Sequence, residues 1–330
     1  MIDGLPESVR ERLRSEPVPM WRSPTLATLT DERFSDPDWI FERKLDGVRC
    51  LAFRNGRKVR LLSRNRQSLN ATYPEVADVL AAQKCSKFVV DGEIVAFEGR
   101  RTSFARLQGR LGITDPDHAL ASGIAVFYYL FDLIHLDGRT TTELPLIWRK
   151  RLLRNTLEFD DPLRYTTHRV KDGEAAFDAA CKRGDEGVIA KMADAPYEGR
   201  RSSNWLKFKC SHDQEFVIVG YTAPKGSRVG LGALLLGYHD GDELAYAGKV
   251  GTGFDTATLQ SLHKRLSRTE QASPPVTRGR VREPGAHWVR PTSVAQVAFS
   301  EWTRDGKLRH PRYLGLRTDK SPDEVVRESR

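Results

Sequence analysis

The chain has 330 residues, a length that predicts two domains of ordinary size. Hydrophobic residues make up 39% and charged residues 29%, which excludes wholesale disorder and collagen-like repeats. No apolar run approaches the roughly 20 residues that a membrane helix needs, and the polar N-terminal segment contains no hydrophobic signal region. We therefore expect a soluble intracellular protein with no membrane partner.

Charge and cysteine content add weaker constraints. Lysine and arginine total 53 against 44 acidic residues, a formal net charge of +9. This excess permits nucleic-acid binding without establishing it, because many basic proteins never bind nucleic acid. The four cysteines, at positions 50, 85, 181 and 210, include no CxxC pair. We expect no zinc knuckle, and buried or idle thiols in a reducing compartment.

The first two thirds of the chain mix strand and helix patterns. Strands are predicted at 39–43, 48–54 and 59–63, with a turn at Asn55-Gly56. A helix is predicted at 73–82, followed by a strand pair or one bent strand at 87–97, in which Asp91 supports a turn at Gly92. The later predicted elements are a buried strand at 125–134, helices at 145–158 and 173–183, and short strands at 187–190 and 205–210.

The pattern changes at residues 211–214. From Glu215 onward, short strands alternate with glycine-rich turns, which is typical of a small β-barrel. A helix at 256–266 and a Pro- and Arg-rich loop at 267–286 follow. We predict one domain at 1–212 and a second at 213–330. In the first domain, the run WRKRLLR at 148–154 has amphipathic spacing and predicts a structural helix surface.

One short motif suggests covalent chemistry. Lys44, Asp46 and Gly47 form a KxDG sequence in a loop between two predicted strands. A lysine beside a glycine that allows close backbone approach suits a covalent nucleophile, although the motif alone is equally compatible with a surface turn. The sequence has no P-loop, no GxGxxG after a strand, and no HExxH or GxSxG motif. P-loop hydrolysis and hydride transfer therefore have no support.

Further motifs follow KLDGVR (44–49) and SRN (63–65) in order along the chain. They are VVDGEIVAF at 89–97, FDLIHLDG at 131–138, EGVIAK at 186–191, WLKFK at 205–209 and EWTRDGKLRHPRYLGLRTDK at 301–320. The series resembles the covalent nucleotidyltransferases, and specifically the ATP-dependent DNA ligases. Its last segment resembles the bacterial end-joining ligases, both free-standing ones and the ligase module of ligase D. The resemblance covers residues 19–320.

This resemblance implies a fold and a reaction. The fold is a mixed α/β nucleotidyltransferase adenylation domain followed by an all-β OB-fold domain. In the reaction, Lys44 becomes adenylated by ATP, the AMP passes to the 5′-phosphate of a break, and the 3′-hydroxyl displaces AMP. ATP is favoured over NAD because only 43 residues precede Lys44. The implied context is DNA repair by non-homologous end joining.

The implied partners follow from that context. They are nicked or broken duplex DNA and a bacterial Ku-type end-binding protein. The chain itself is expected to be a monomer in the bacterial cytoplasm, associated with the nucleoid.

The nucleophile explains why lysines recur in the motifs. An ordinary lysine amine has a pKa of about 10.4, and neighbouring cations or a metal favour its neutral, reactive form. Lys191, Lys207 and Lys209 would crowd Lys44 and neutralise the triphosphate, where fixed positive charge contributes most to phosphoryl-type transfer. Considered alone, Lys207 and Lys209 are equally the outward face of an alternating strand.

Individual roles are carried over by resemblance. Phe131 would stack on adenine, unless it is one more core aromatic, and Glu42 would border the base. Arg49 and Arg64 would bind ribose and phosphate oxygens. The nucleotide-binding set is Glu42, Arg49, Arg64, Glu93, Phe131, Lys191, Lys207, Lys209, Arg317 and Lys320. The set for Mg²⁺ or Mn²⁺ is Asp46, Glu93 and Glu186.

Two basic stretches are candidates for DNA phosphate contacts. Residues 54–66 contain six basic and no acidic side chains, and residues 261–290 contain seven basic and two acidic ones. Either stretch is also compatible with a solvated face. The predicted DNA contacts are Arg49, Arg60, Arg64 and Arg66. Arg317 and Lys320 would reach the β- and γ-phosphates when the second domain closes about a hinge near residues 210–213.

Two other functions remain open from the residues alone. An RNA capping guanylyltransferase or RNA ligase shares Lys44 and several motifs, but the segments at 205–209 and 309–320 fit DNA ligases better. A non-catalytic protein that holds DNA ends through its OB domain would need none of the lysines and carboxylates together. Nucleotide preference separates the first alternative, and absence of nucleotide turnover would mark the second.

Overall fold

The computed structural model describes residues 2–210, 213–224, 226–279 and 281–328. Residues up to 210 form one compact unit, and those from 213 to 328 form a second. The predicted domain boundary, at 211–214, and the predicted hinge, at 210–213, both include residues 211 and 212, which lie outside the described residues. Within the described ranges, no helix is long and apolar enough to span a membrane.

The first unit contains two sheets and six helices within the described residues. Its helices are α1 (Glu7–Arg10), α2 (Pro74–Ala82), α3 (Phe104–Leu107), α4 (Pro116–Ala121), α5 (Leu146–Thr156) and α6 (Gly173–Arg183). Its strands are β1 (Arg14–Ser15), β2 (Leu26–Leu29), β3 (Trp39–Lys44), β4 (Val48–Asn55), β5 (Lys58–Ser63), β6 (Lys87–Glu98), β7 (Arg101–Thr102), β8 (Val126–Leu136), β9 (Arg139–Thr140), β10 (Leu163–Tyr165), β11 (His168–Val170), β12 (Gly187–Met192) and β13 (Arg201–Lys209).

The two sheets pack against each other through aromatic residues. The larger has the order β1-β9-β8-β6-β4-β5, and the smaller has the order β11-β3-β12-β13-β2. Phe131 of the larger sheet contacts Trp205 of the smaller one, with ring centroids 6.1 Å apart, and Leu51, Phe53 and Tyr197 complete this cluster. The candidate site lies on the sheet face that this cluster borders.

Alternation along β3 decides which side chains reach that face. Phe41 packs with Phe177 of α6 in an apolar cluster on one face of the smaller sheet. Successive strand residues point to opposite faces, so Glu42 and Lys44 lie on the other face, towards the larger sheet. The sequence WIFERK thus buries its aromatic residue under a helix and presents a carboxylate and a lysine to the site.

The predicted elements of this unit are confirmed in type, with one correction. Residues 87–98 form a single strand whose register with β8 shifts at two places, and there is no turn at Gly92 for Asp91 to support. Gly92 is needed because a Cβ there would lie 2.5 Å from the carbonyl oxygen of Tyr129 in the neighbouring strand. Close strand packing therefore requires the glycine at position 92. An Asp-Gly pair in the sequence is compatible with either a turn or such packing.

The cysteine prediction is also wrong in part. Cys181 of α6 and Cys210 form a disulfide with a Cα–Cα distance of 5.3 Å, whereas Cys50 and Cys85 are free. The pair forms because α6 packs beside the end of β13, in the cluster that contains both residues. The 29-residue separation gives no pairing signal in the sequence.

The second unit is built mainly of antiparallel strands. They are β14 (Asp213–Thr222), β15 (Leu234–Asp240), β16 (Glu243–Val250), β17 (Glu270–Gln271), β18 (Ala286–Val289), β19 (Val294–Ala298), β20 (Glu301–Trp302), β21 (Leu308–Arg309) and β22 (Arg312–Leu316). The helix α7 (Thr256–Leu266) covers an apolar core. β14 pairs along one edge with β15, and along the other with β19 in its first half and β18 in its second. The predicted loop at 267–286 includes β17, which pairs with β18.

Candidate functional site

Strand register brings the predicted lysines onto one face of the smaller sheet. Lys44 of β3 lies opposite Gly187 of β12, which in turn lies opposite Lys209 of β13. Glu42 lines up in the same way with Ile189 and Lys207. Lys191, four residues beyond Gly187, shares this face because strand side chains repeat every second residue. Residues far apart in the sequence thus form one basic surface around Lys44.

Lys44 is ion-paired at the centre of this surface. Its ammonium donates a hydrogen bond to the carboxylate of Glu186, and the two side chains are only 16% and 15% exposed. Glu186 directly precedes Gly187, where a Cβ would lie 1.9 Å from the carbonyl oxygen of Phe208. Gly187 therefore allows β12 and β13 to approach closely beside the lysine.

The loop after Lys44 is fixed to the larger sheet and to α3. The carboxylate of Asp46 accepts a hydrogen bond of 3.0 Å from the backbone N–H of Phe104, and its own N–H donates to the hydroxyl of Thr102. A Cβ on Gly47 would lie 2.2 Å from the carbonyl oxygen of Ile94. The KxDG motif is thus a constrained element between two sheets, and not a surface turn.

A buried ion cluster lies two residues before the nucleophile candidate. The carboxylate of Glu42 accepts hydrogen bonds from both Lys150 and Lys191, the second at 2.6 Å. All three side chains are buried. Burial lowers the pKa of Lys191 to about 8, and the charge of Lys150 adds to this effect while Glu42 opposes it. For Glu42, burial acts to raise the pKa, but the two lysines outweigh it and the pKa is lowered.

Lys150 is a site residue that the sequence reasoning missed. The run 148–154 predicts a structural helix surface, yet Arg149 and Lys150 are buried, at 0% and 1% exposure. Arg149 pairs with Asp132 through two hydrogen bonds of 2.8 and 2.9 Å. The sequence contained a signal for this burial. Arg149 and Lys150 follow Leu146 by three and four positions, which places them on the same buried face of α5.

Phe131 lies between two cations. The Lys191 ammonium is 4.1 Å from its ring centroid, and the Arg49 guanidinium carbon is 4.7 Å away. The Lys191 ammonium is also 4.0 Å from the ring centroid of Trp205. At 7% exposure, Phe131 is part of the aromatic contact between the sheets. Its stacking on adenine stays a prediction, beside this packing role.

Arg49 is anchored by a partner that the sequence reasoning left out of the site. Its guanidinium forms two hydrogen bonds of 2.5 Å with the carboxylate of Asp91, which is fully buried and also accepts one from the Tyr197 hydroxyl. Burial lowers the pKa of Arg49, but the charge of Asp91 more than reverses this, so the pKa is raised. Glu93 lies opposite Arg49 in the strand register, which keeps the two predicted ligands adjacent.

The basic segment 54–66 is only partly available for DNA. Arg60 donates hydrogen bonds to the carbonyls of Pro19 and Met20, at 3.3 and 2.9 Å. Arg66 lies over the ring of Trp21, 5.2 Å from its centroid. Arg64 follows the end of β5. These contacts give Arg60 and Arg66 a structural role in holding the N-terminal segment, and the DNA contacts of all three stay predictions.

The C-terminal motif is ordered within the second unit. Arg317 forms hydrogen bonds of 2.8 and 2.9 Å with Asp319, and Lys320 lies 3.4 Å from Glu215 of β14. Burial acts to raise the pKa of Asp319, but Arg317 outweighs it and the pKa is lowered. The predicted cations Arg317 and Lys320 are therefore held on one surface by two carboxylates.

Metal ligation is the least complete part of the site. Within the described ranges, no three His, Cys, Asp or Glu side chains are grouped closely enough to hold a metal by themselves. Mg²⁺ usually binds one or two carboxylates together with substrate phosphates and waters. Glu186 beside Lys44 fits that donor chemistry. The predicted set of Asp46, Glu93 and Glu186 therefore stays a prediction.

Comparison with known families decides between the alternatives. A family model described as "ATP dependent DNA ligase domain" matches residues 24–209, and one described as "ATP dependent DNA ligase C terminal region" matches residues 227–320. The first match alone covers more than half of the chain. The chain belongs to the ATP-dependent DNA ligase family. The chain has the predicted fold class, a mixed α/β adenylation domain followed by an OB-fold domain.

Individual relatives are consistent with this family. A multifunctional non-homologous end joining protein LigD of Pseudomonas aeruginosa is 38% identical over 320 residues, which is 94% of this chain and 37% of the relative. LigD of Mycobacterium tuberculosis is 37% identical over 295 residues, 88% of this chain and 37% of the relative. The chain thus spans well under half of these two relatives.

A solved structure matches over nearly its whole length. A structure described as mycobacterial DNA ligase D complexed with ATP and MES is 34% identical in sequence and has a TM-score of 0.65. The match covers 93% of this chain and 98% of that structure's chain. This match agrees with the fold of the chain described above. The family match does not favour RNA capping or a non-catalytic DNA-end-binding role.

Proposed function

We propose that this chain is an ATP-dependent DNA ligase that seals nicked or broken duplex DNA during non-homologous end joining. The observation that carries the proposal is the sheet face that Lys44, paired with Glu186, shares with Lys191, Lys207 and Lys209. Clustered cations suit a triphosphate and favour the neutral form of the attacking amine. The LigD relatives support the end-joining context.

The first step forms a covalent intermediate on Lys44. The amine attacks the α-phosphate of ATP, a P–N bond forms, the α–β P–O bond breaks, and pyrophosphate leaves while the amine loses a proton. Lys191, Lys207 and Lys209 would neutralise the phosphate oxygens during this displacement. Arg317 and Lys320 would contact the β- and γ-phosphates when the second domain, residues 213–330, closes on the first, residues 1–212.

The later steps regenerate the lysine. A 5′-phosphate oxygen attacks the lysyl-AMP phosphorus, which breaks the P–N bond and gives an adenylated DNA end. The 3′-hydroxyl then attacks the DNA phosphate, and AMP leaves. Arg49 and Arg64 would bind phosphate oxygens in these steps, with Arg60 and Arg66 further along the duplex.

The nucleotide itself would be recognised by side chains around Lys44. Phe131 would stack on adenine, Glu42 would border the base, and Glu93 would lie near the ribose. Asp46, Glu93 and Glu186 would hold Mg²⁺ or Mn²⁺ together with the phosphates. When bound, such a cation supplies positive charge that stabilises the phosphate oxygens. A Ku-type partner, a monomeric state and association with the nucleoid belong to the same proposal.

The proposal is tested by sealing of a 5′-labelled nicked duplex. We expect ligation with ATP and Mg²⁺, none with GTP, and none when EDTA removes the metal. Lys44→Ala should lose all sealing, because it removes the amine that carries the AMP; the control Arg151→Ala, an exposed cation on α5, should seal normally. Sealing with GTP, or sealing by Lys44→Ala, would contradict the proposal.

A further inference from the structure

We propose that Lys150 is a positioning residue for self-adenylation, which keeps the buried Glu42 carboxylate paired while Lys191 turns to the nucleotide phosphates. This inference rests on the proposed ligase function and assigns a role to a residue outside its motifs. Pairing with Lys150 would allow Lys191 to leave the buried Glu42 carboxylate without leaving that carboxylate unpaired.

The two lysines hold Glu42 through different oxygens. Lys150 donates to Oε1 and Lys191 to Oε2, and the side chains of all three residues are at most 2% exposed. Leaving a buried carboxylate without any partner strongly destabilises the folded protein. If Lys191 were the only partner of Glu42, moving Lys191 to a ligand would therefore leave the buried carboxylate unpaired, which is unfavourable. A second cation removes this restraint.

The other contacts of the two lysines distinguish a fixed partner from a movable one. Lys150 also donates a hydrogen bond of 3.0 Å to the carbonyl of Thr166, and its ammonium is 4.8 Å from the ring centroid of Tyr165. Among the described residues, the Lys191 ammonium donates its only hydrogen bond to Glu42 and otherwise faces aromatic rings. An ammonium has three donors, so Lys191 retains donors for phosphate oxygens.

The positions of the two lysines in the fold also indicate that Lys150 is the fixed partner of Glu42 and Lys191 the movable one. Lys150 extends from helix α5, whereas Lys191 stands on β12 in the row beside Glu42 and Lys44. Lys191 is thus on the strand face that carries the nucleophile candidate. Lys150 therefore acts on the nucleotide only through Glu42.

The test is single-turnover self-adenylation of the full chain with α-labelled ATP and Mg²⁺, after pyrophosphate has removed any bound AMP. Lys150→Met should lower the rate constant at saturating ATP by about tenfold or more, as loss of an orienting partner typically does. Lys150→Arg, which preserves the charge, should recover most of the rate. Arg151→Met, an exposed neighbour on the same helix, is the matched control and should equal wild type.

Charge removal at Glu42 separates positioning from a purely structural role. With Gln at position 42 there is no carboxylate to hold Lys191, so Lys150→Met/Glu42→Gln should adenylate as fast as Glu42→Gln alone. This comparison also decides the question if Lys150→Met alone fails to fold. A tenfold or greater loss in the double variant relative to Glu42→Gln, or a wild-type rate in Lys150→Met, would overturn the inference. Failure of wild type to adenylate would instead contradict the ligase proposal.

Discussion

At the scale of single residues, the chemistry depends on how buried charges are shared. Lys44 and Glu186 form one pair, and Glu42 is shared by Lys150 and Lys191. The motifs predicted every one of these residues except Lys150. It was missed because a basic run on a helix usually indicates a solvated surface, and only the tertiary fold supplies the buried carboxylate that pairs with it.

The lowered pKa of Lys191 predicts a pH-dependent stability. Its pKa is about 8 in the fold and about 10.4 in an unfolded chain, so between these values the unfolded state binds more protons. The free energy of unfolding contributed by Lys191 should therefore rise with pH across this window, at up to about 1.4 kcal/mol per pH unit. Below pH 8 both states are protonated and this contribution is constant.

Denaturant unfolding from pH 7 to 10 measures this contribution as the difference between wild type and Lys191→Met. Wild type should gain stability relative to the variant above about pH 8, because the variant has no proton to lose at this position. The charged neighbours Glu42, Lys150 and Asp132 are present in both proteins. A difference that is independent of pH would contradict the assignment.

At the scale of elements, the smaller sheet positions the site. Its strand types and most boundaries could be predicted, because alternating apolar residues and hairpin signals act locally. The pairing of β3 with β12 could not, since its register depends on contacts between residues more than a hundred positions apart. The Arg49–Asp91 pair and the disulfide between Cys181 and Cys210 were also missed, because each joins two separate elements, over 42 and 29 positions, that only the tertiary fold brings together.

Gly187 makes the sheet a testable element. Its φ of 150° and the 1.9 Å approach of an added Cβ to the Phe208 carbonyl leave no room for a side chain. Gly187→Ala should destabilise the first unit by about 2 kcal/mol or more, through overpacking and backbone strain. It should also slow adenylation, because the clash lies beside Lys44.

Thermal and denaturant unfolding measure the stability change. Gly4→Ala is a suitable control, because an added Cβ at Gly4 meets nothing within 4 Å, and its effect should stay within about 0.5 kcal/mol. Equal stability of the Gly187→Ala and Gly4→Ala variants would show that β12 and β13 do not need this close approach.

At the scale of the whole molecule, two compact units carry different parts of the proposed reaction. The nucleophile candidate lies in the first unit, and Arg317 and Lys320 lie in the second, held by Asp319 and Glu215. The division into two units could be predicted from the change to short strands after residue 214. The contacts of Arg317 and Lys320 with Glu215 could not, because they join residues about a hundred positions apart.

Lys320→Ala tests whether the second unit serves only the first chemical step. Self-adenylation with ATP should fall by about tenfold or more, the usual scale for loss of a phosphate-positioning group. Sealing of a nick that already carries an adenylated 5′-phosphate should remain near the wild-type rate, because that step involves no triphosphate. Intact self-adenylation together with lost sealing would contradict the assigned role.

The proposed ligase function depends most directly on covalent attachment of AMP to Lys44. We would incubate the full chain with ATP and Mg²⁺, digest it, and locate the adenylyl group by tandem mass spectrometry. One adenylyl mass on Lys44, removed by pyrophosphate and by nicked duplex DNA, is the predicted result. An adenylyl group on another residue, or none on a chain first stripped with pyrophosphate and shown to be folded, would contradict the account.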